Sequence, residues 1–226
     1  MPLLGHAAIL LSFDIAPDAI PEHDHWHTHE HLPERLSIPG FVRGSRWVAR
    51  RGSPRYLVFY ELEQLAALTS EAYLRRLNNP TPWTSKMMPH YQGMTRGLCA
   101  VTGSFGSGIG GACLLMRFKP APGPESPLHS WLYDDALPGL SARPGLGGAH
   151  LFEGTSTPAM TNEQRIRGAD AHVDWALIVT GYSFEALVQL EDAGSIKEQL
   201  IVQGAREITA AQYQLAYCLG AHEIDT

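Results

Sequence analysis

Five of the eleven histidines in this 226-residue chain lie between His23 and His31, and His31 has the position best suited to chemistry. On a helix its ring would lie about 100° from Leu32, at the edge of the apolar stripe. An imidazole at a pocket edge is the usual proton carrier near neutral pH, and the helix dipole would favour its protonated form. His27 and Glu34 are its neighbours at i−4 and i+3, and a hydrogen bond to Glu34 would fix the tautomer. The pattern predicts His31, His27 and Glu34 as catalytic residues.

The same histidines permit a metal or haem site as an alternative. His23, His27 and His31 share an i, i+4 stripe, and two histidines at that spacing can bind one metal ion. The HExxH motif is absent, no cysteine lies nearby, and a third ligand such as Glu34 or His90 must be assumed. The primary expectation is therefore chemistry without a metal or other cofactor.

The chain contains an internal repeat at an offset of 105 residues. Trp26 stands six residues before Leu32, and Trp131 stands six residues before Leu137, so the offset is 131 − 26 = 105. Applied without gaps to residues 5–45, it yields eleven identities in 41 positions, where average composition would give about two or three. The matches are mostly Trp, Pro, Gly and apolar residues, which have packing or backbone roles, so the chain is interpreted as two copies of one unit.

The histidines do not recur in the second copy. At the offset of 105, His31 becomes Ala136 and His27 becomes Leu132, whereas Trp26 stays tryptophan. A histidine needed only for folding should be needed in both copies. The comparison favours one active centre, in the first copy.

Each copy reads as β-α-β-β-α-β, which is the ferredoxin-like order. The strands predicted for the first copy are Ala7–Ile15, Phe41–Arg50, Arg55–Leu62 and Met94–Val101. The first helix is expected over Glu22–Leu36, helical until Pro33, because proline removes a backbone donor. In the second copy Ser183–Ile201 is predicted as one helix, from its apolar spacing.

The predicted fold class is α+β, with two tandem ferredoxin-like repeats whose antiparallel sheets pack into a dimeric α/β-barrel. The predicted boundaries are 1–103 for the first repeat, 104–111 for a glycine-rich linker and 112–226 for a second, degenerate repeat. A ferredoxin-like sheet carries helices on one face only, so the bare faces are expected to cover one another. A cavity between the two sheets is expected to hold a small ligand.

A run of motifs resembles the EthD-like group of dimeric α/β-barrel proteins, which are named for ethyl tert-butyl ether degradation. The motifs are W-x(3)-E-H-x-P-E-R-x(2)-I-P-G-F (Trp26–Phe41), G-x-R-W (Gly44–Trp47), YLVFYEL (Tyr56–Leu62) and PTPWT (Pro80–Thr84). The resemblance covers about residues 7–100, and the second half only through the repeat. It implies that His31 faces the barrel cavity and that four residues could line it: Trp26, Arg46, Tyr60 and Trp83.

Relatives in that superfamily include cofactor-free monooxygenases, muconolactone isomerase-like enzymes, dehydratases and haem enzymes. The expectation is a cofactor-independent lyase, isomerase or decarboxylase that acts on a small apolar or aromatic molecule. His31 would move a proton, and Arg46 or Tyr60 would hold the developing oxyanion. A cofactor-free monooxygenase, a metal or haem enzyme and a non-catalytic ligand-binding module remain as alternatives.

Composition bounds the partners and the compartment. The net charge is −6 and there is no Lys/Arg run, so nucleic acid and anionic membranes are not expected as partners. No apolar run approaches the roughly 20 residues that span a bilayer. Three scattered cysteines without a CxxC motif indicate buried thiols in a reducing compartment, hence a cytoplasmic location. A small-molecule substrate is the expected partner, and a homodimer is possible.

Overall fold

The computed structural model describes residues 3–122, 127–155, 160–191 and 195–224. In chain order the elements of the first repeat are β1 (Ala7–Ile15), α1 (Ile20–Trp26), a π-helical turn (His27–His31), α2 (Leu32–Leu36), β2 (Phe41–Arg51), β3 (Tyr56–Leu62), α3 (Glu71–Asn78), α4 (Pro82–Met87) and β4 (Tyr91–Gly106). Those of the second are β5 (Ala112–Lys119), α5 (Pro127–Trp131), a π-helical turn (Leu132–Ala136), α6 (Leu137–Ser141), β6 (Leu146–Gly154), α7 (Asn162–Arg167), β7 (Ala171–His172), β8 (Trp175–Gly181), α8 (Phe184–Gln189), α9 (Ile196–Val202) and β9 (Arg206–Gly220).

Eight antiparallel strands close into one barrel. Their order is β1-β3-β2-β9-β5-β8-β6-β4, and β4 pairs back with β1. Each repeat supplies four adjacent strands, and the repeats meet at the β2–β9 and β4–β6 pairings. Closure leaves neither four-stranded sheet with an open edge. The predicted fold class is confirmed. The strand β4 continues to Gly106, so the connection between the repeats is shorter than the predicted linker 104–111.

Side chains fill the barrel interior. Along each strand alternate residues point inward, as Leu10 does on β1 and Phe59 does on β3, while their neighbours Ile9 and Tyr60 face outward to the helices. Large aromatic residues occupy the interior, namely Trp47, Phe59, Phe152 and Tyr213. These side chains occupy the space between the two sheets, where a ligand cavity was expected; side chains can fill the interior of an eight-stranded barrel.

The first helix does not end at Pro33, contrary to the sequence expectation. The five residues before α2 form a π-helical turn, in which the Leu32 amide donates to the carbonyl of His27, five residues earlier. The turn shifts the hydrogen-bond register, so Pro33 falls in the first turn of α2, where the missing donor is tolerated. The second repeat has the same π turn 105 residues later.

Two further outcomes concern the second repeat and the thiols. The single helix predicted for Ser183–Ile201 is instead two shorter helices, α8 and α9. Cys99, Cys113 and Cys218 are free, and the first two are buried. In the part of the chain that the structure describes, no helix is both long enough and apolar enough to cross a bilayer.

Candidate functional site

A small polar pocket lies between the outer face of the first-repeat strands and their helices. It encloses about 30 Å³, which is room for one or two water molecules. The second repeat covers it with α7, which lies in the connection between β6 and β8. The lining residues are Ile9, Leu11, His31, Arg35, Tyr60, Tyr73, Leu77, Arg96, Thr161, Glu163, Gln164 and Arg167.

The sheet side of the pocket is set by the strand register. Ile9 on β1 lies opposite Tyr60 on β3, and Leu11 lies opposite Arg96 on β4. Residues at this alternation point outward to the helices, so these side chains reach one surface patch. Helices pack only on the outside of the barrel, and for this reason His31 faces this pocket and not the barrel interior.

His31 is held as a neutral imidazole. Its ring packs against Trp26 at a centroid distance of 4.4 Å, because the π turn brings residues five apart onto one side. Its Nδ1 atom is buried without a hydrogen-bond partner. Burial, and then the charge of Arg35, lower the pKa of His31 well below its usual 6.5. The expected protonated ring is corrected, since burial outweighs the helix dipole. A neutral imidazole can accept a proton.

Tyr60 contributes a hydroxyl group that can donate a hydrogen bond, whereas His31 can accept a proton. The hydroxyl is buried and has no hydrogen-bond partner. Burial raises the pKa of Tyr60 far above its usual value of 10, so the group stays protonated and can donate. Gly44 makes room for the ring, because a Cβ atom there would lie 3.1 Å from Tyr60 and 3.2 Å from Leu32.

One ion pair attaches α7 to the first repeat, and a second lies within the α7 region. The buried guanidinium of Arg35 donates to the carboxylate of Glu163, which is buried as well. Within the α7 region Arg167 binds Asp170 through two hydrogen bonds of 2.7 and 3.0 Å. Asn162 adds two hydrogen bonds to Asn78, of 3.2 and 2.7 Å. Polar contacts therefore hold the pocket's cover in place.

His27 and Glu34 lie outside the pocket lining. The ring of His27 sits 5.6 Å from both His31 and His23, and its Nδ1 atom is buried without a partner. Glu34 accepts from Arg35 at 3.3 Å and from Arg76 at 3.5 Å. Glu34 therefore does not fix the tautomer of His31, whose Nδ1 has no partner, and the sequence expectation is corrected on this point.

The four residues expected to line the cavity are placed differently. Tyr60 lines the pocket, and Trp26 packs directly behind His31. Arg46 lies elsewhere, with Nη1 donating to the Asp24 carbonyl at 3.1 Å. The indole of Trp83 donates to Glu22 at 3.3 Å, away from the pocket. The structure thus unites two of the predicted residues, His31 and Tyr60, with Trp26 as support.

The histidine stripe does not form a metal centre. Within the described ranges, no group of three or more His, Cys, Asp or Glu side chains is arranged to hold a metal ion. The rings of His25 and His29 are tilted against each other with centroids 4.3 Å apart, and His29 Nδ1 is hydrogen-bonded to the His25 carbonyl. His23, His27 and His31 instead form a buried row of rings along one helix face.

The sequence did not lead to Arg35 or Arg96, or to the helix α7 that covers the pocket. Arg35 stands in the P-E-R motif, and a basic residue in an otherwise apolar helix face was a usable signal. Arg96 interrupts the strand between Met94 and Leu98, which was a second signal. Glu163 offered none, because it lies 128 residues from its partner Arg35.

Comparison with known proteins identifies the architecture. No protein-family model matches the sequence, and no curated protein matches it. Solved structures do match. An anthrone oxidase-like protein aligns with a TM-score of 0.68 and 13% identity over 96% of this chain and 93% of its own. A monooxygenase-type protein from Fusobacterium nucleatum aligns at 0.62 and 7% identity, over 96% of both chains.

A third match, a monooxygenase-type protein from Lactobacillus acidophilus, aligns at a TM-score of 0.61 and 8% identity, covering 96% of this chain and 97% of its own. The chain has the dimeric α/β-barrel fold. At these identities the likeness extends to the fold and not to the reaction. In this single-chain dimeric α/β-barrel, the two repeats take the places of two subunits.

Proposed function

We propose that this dimeric α/β-barrel protein is an enzyme that removes a proton from a small aromatic ketone or phenol, without a bound cofactor, and lets the resulting carbanion react with molecular oxygen. The observation that carries the proposal is that one pocket is lined by a neutral His31, whose Nδ1 has no hydrogen-bond partner, and by Tyr60, whose hydroxyl has none either. The motif resemblance to the EthD-like group and the names of the structural neighbours support it.

The two groups divide the proton chemistry. His31 accepts the proton from the carbon next to the carbonyl group, since its pKa is too low for it to be occupied by a proton at neutral pH. Negative charge then moves to the carbonyl oxygen, where the Tyr60 hydroxyl donates a hydrogen bond. Trp26 holds the imidazole in place from behind.

Substrate entry requires movement of α7. A pocket of about 30 Å³ cannot hold an aromatic ring, and four of its lining residues belong to α7 or the residue before it. The α7 helix is bound to the first repeat through the Arg35–Glu163 ion pair and the hydrogen bonds of Asn162 to Asn78, which a polar substrate can replace. Closure of α7 over the bound substrate would then exclude water.

Anthrone, from which the first neighbour takes its name, is a suitable test substrate. Its methylene carbon loses a proton readily because the carbanion is an aromatic enolate. Reaction with one O₂ gives anthraquinone and one water, so O₂ is the oxidant and no other reactant is needed. The test follows oxygen uptake and anthraquinone absorbance.

We expect wild-type protein to speed oxygen uptake and His31→Gln to reduce the rate about 10²–10⁴-fold. His129→Gln is the matched control, because His129 belongs to the second repeat and is partly exposed. A His31→Gln protein with full activity overturns the proposal. Wild-type protein that speeds neither oxygen uptake nor deuterium exchange at the anthrone methylene overturns it as well.

The second candidate function is elimination or isomerisation, which begins with the same removal of a proton by His31. The same base and hydrogen-bond donor, His31 and Tyr60, are what keto–enol chemistry requires. Deuterium exchange that depends on His31, without oxygen uptake, would select this candidate over the oxygen-dependent one.

A further inference from the structure

Arg96 is a buried cation without a carboxylate partner. Its side chain lines the pocket, the residue is only 8% exposed, and its Nη2 donates to the Tyr73 hydroxyl at 3.1 Å. Among residues 3–122, 127–155, 160–191 and 195–224, no carboxylate lies within ion-pair distance of it. A guanidinium out of water and without a counter-ion is costly, so such groups are normally paired.

The carboxylates near the pocket are already engaged. Glu163 is bound to Arg35, and Asp170 is bound to Arg167. Glu34 lies between Arg35 and Arg76. None of these acids is free to neutralise Arg96 without giving up its own cation.

The other unpartnered groups lie in the same pocket. His31 Nδ1 and the Tyr60 hydroxyl are both buried without a hydrogen-bond partner, and both residues line the cavity with Arg96. The sheet side of the pocket adds apolar walls from Ile9 and Leu11, whereas the side formed by Arg35 and α7 is polar. The apolar side suits the face of a flat molecule, and the polar groups suit an oxygen-bearing edge.

We propose that Arg96 binds a negatively charged oxygen of the substrate, so that the natural ligand is a flat aromatic molecule with an ionised carboxyl or hydroxyl group. This proposal rests on the pocket being the substrate site, as in the proposed function, and adds the class of substrate. The ligand's anion supplies the counter-ion that the chain does not. Glu163 of the covering helix does not supply this counter-ion, because its carboxylate is bound to Arg35.

The test measures binding by calorimetry with the full chain and three probes. Benzoate and p-nitrophenolate, the latter above its pKa, carry the two sources of anionic oxygen, and p-nitroanisole is the neutral analogue. We expect both anions to bind the wild type, with Arg96→Met weakening them by about 10-fold or more. Arg50→Met is the matched control, because Arg50 is an exposed arginine of β2 outside the pocket.

The tighter of the two anions identifies the ionised group. Three results overturn the proposal: unchanged binding in Arg96→Met, p-nitroanisole binding as tightly as p-nitrophenolate, or no binding of either anion by the wild type. If circular dichroism shows that Arg96→Met is unfolded, Arg96→Gln decides, because glutamine keeps a donor for the Tyr73 hydroxyl and removes the charge. Several-fold weaker binding of the anions than in the wild type supports the proposal, and unchanged binding overturns it.

Turnover separates this inference from the proposed function. Anion binding that depends on Arg96, in a protein that neither oxidises anthrone nor exchanges its protons, refutes the enzyme and leaves the binding site. Turnover that depends on His31, with anion binding indifferent to Arg96, refutes only the inference about the substrate.

Discussion

The layers of side chains between sheet and helices differ in polarity between the two halves of the barrel. Both halves have the tryptophan, the π turn and the Leu-Pro pair at equivalent positions. The strand registers extend the correspondence, because Ile9 pairs with Tyr60 as Leu114 pairs with Val179. Four polar residues of the pocket have apolar counterparts in the second half: His31 corresponds to Ala136, Arg35 to Leu140, Tyr60 to Val179 and Arg96 to Ala210.

The difference shows that the fold does not need those polar groups. The second half closes the same barrel with apolar residues at the four positions, and a cavity of about 160 Å³ lies beside its Ala136. Burying unpartnered polar atoms costs free energy, and the presence of His31 Nδ1 and the Tyr60 hydroxyl in the first half is consistent with the proposed site there. The second half instead contributes α7, the cover of the first-half pocket.

The largest expected effect comes from replacing Arg35 with leucine, the residue at the equivalent position 140 of the second half. Arg35→Leu leaves the Glu163 carboxylate buried without its cation, and we expect a loss of about 3 kcal/mol in the free energy of unfolding. The double variant Arg35→Leu/Glu163→Leu should recover most of this. Urea denaturation measures both, with the exposed Arg51→Leu as a control that changes little. A single variant as stable as the wild type would contradict the assignment of a closed, buried pair.

Removing the Tyr60 hydroxyl should lower the catalytic rate without lowering the free energy of unfolding. We expect Tyr60→Phe to lower kcat for anthrone oxidation about 100-fold, because the enolate oxygen loses its donor. The fold should be unaffected, since the hydroxyl has no partner to leave unsatisfied. Tyr213→Phe is the control: it removes another buried, unpartnered hydroxyl, but from the barrel interior. Equal losses in the two variants would show that Tyr60 has no special role.

Replacing Gly44 with alanine, the residue at the equivalent position 149 of the second half, should crowd the Tyr60 ring. The new Cβ would lie 3.1 Å from the Tyr60 ring, and we expect Gly44→Ala to cost about 1–2 kcal/mol. In a Tyr60→Val background the cost should fall, because only the close contact with Leu32 remains and Ala149 faces Val179 in the second half. A double-mutant cycle in urea measures the coupling, and additive effects would mean that the two halves do not pack alike here.

The smallest expected effect is a change in pH dependence at His27, which corresponds to Leu132. Burial, and then the charges of His23 and Arg46, lower the pKa of His27 well below 6.5, so the unfolded chain takes up this proton first as the pH falls. The stability that the neutral ring supports is present above pH 6.5 and lost below it, by about 1 kcal/mol down to roughly pH 5.5. We expect His27→Leu to abolish this part of the slope, whereas His6→Gln, at an exposed site, should keep it. An unaltered slope in His27→Leu would refute the buried neutral ring.

The fold was largely accessible from sequence because its signals are local and repeated. The strand over Ala7–Ile15 is found where its apolar run predicts it, and the offset of 105 residues identifies the two units that close the barrel. The π turn was not accessible, since Pro33 inside a helical pattern normally marks an end. The division of α8 from α9 was missed, although the sequence of residues 191–195 (EDAGS) interrupts the apolar spacing after Leu190.

The site was only partly accessible. His31 and Tyr60 stood out by residue type and by the resemblance, and they do share a pocket. The prediction that His31 and Tyr60 face the barrel interior was wrong. Strand alternation and the outer position of the helices would have placed Tyr60 outside the barrel. The contribution of Glu163 depends on a contact across 128 residues, for which no local pattern exists.

The amino-acid order alone determined that two related units exist, that they alternate apolar residues to build a barrel, and that the second has no histidine at the positions equivalent to His27 and His31. Those features follow from periodicity and composition, which act over a few residues. The tertiary structure decided which side of the sheet His31 reaches, that its ring is neutral, and that α7 of the other half closes over it. These properties depend on burial, and burial is set by segments distant along the chain.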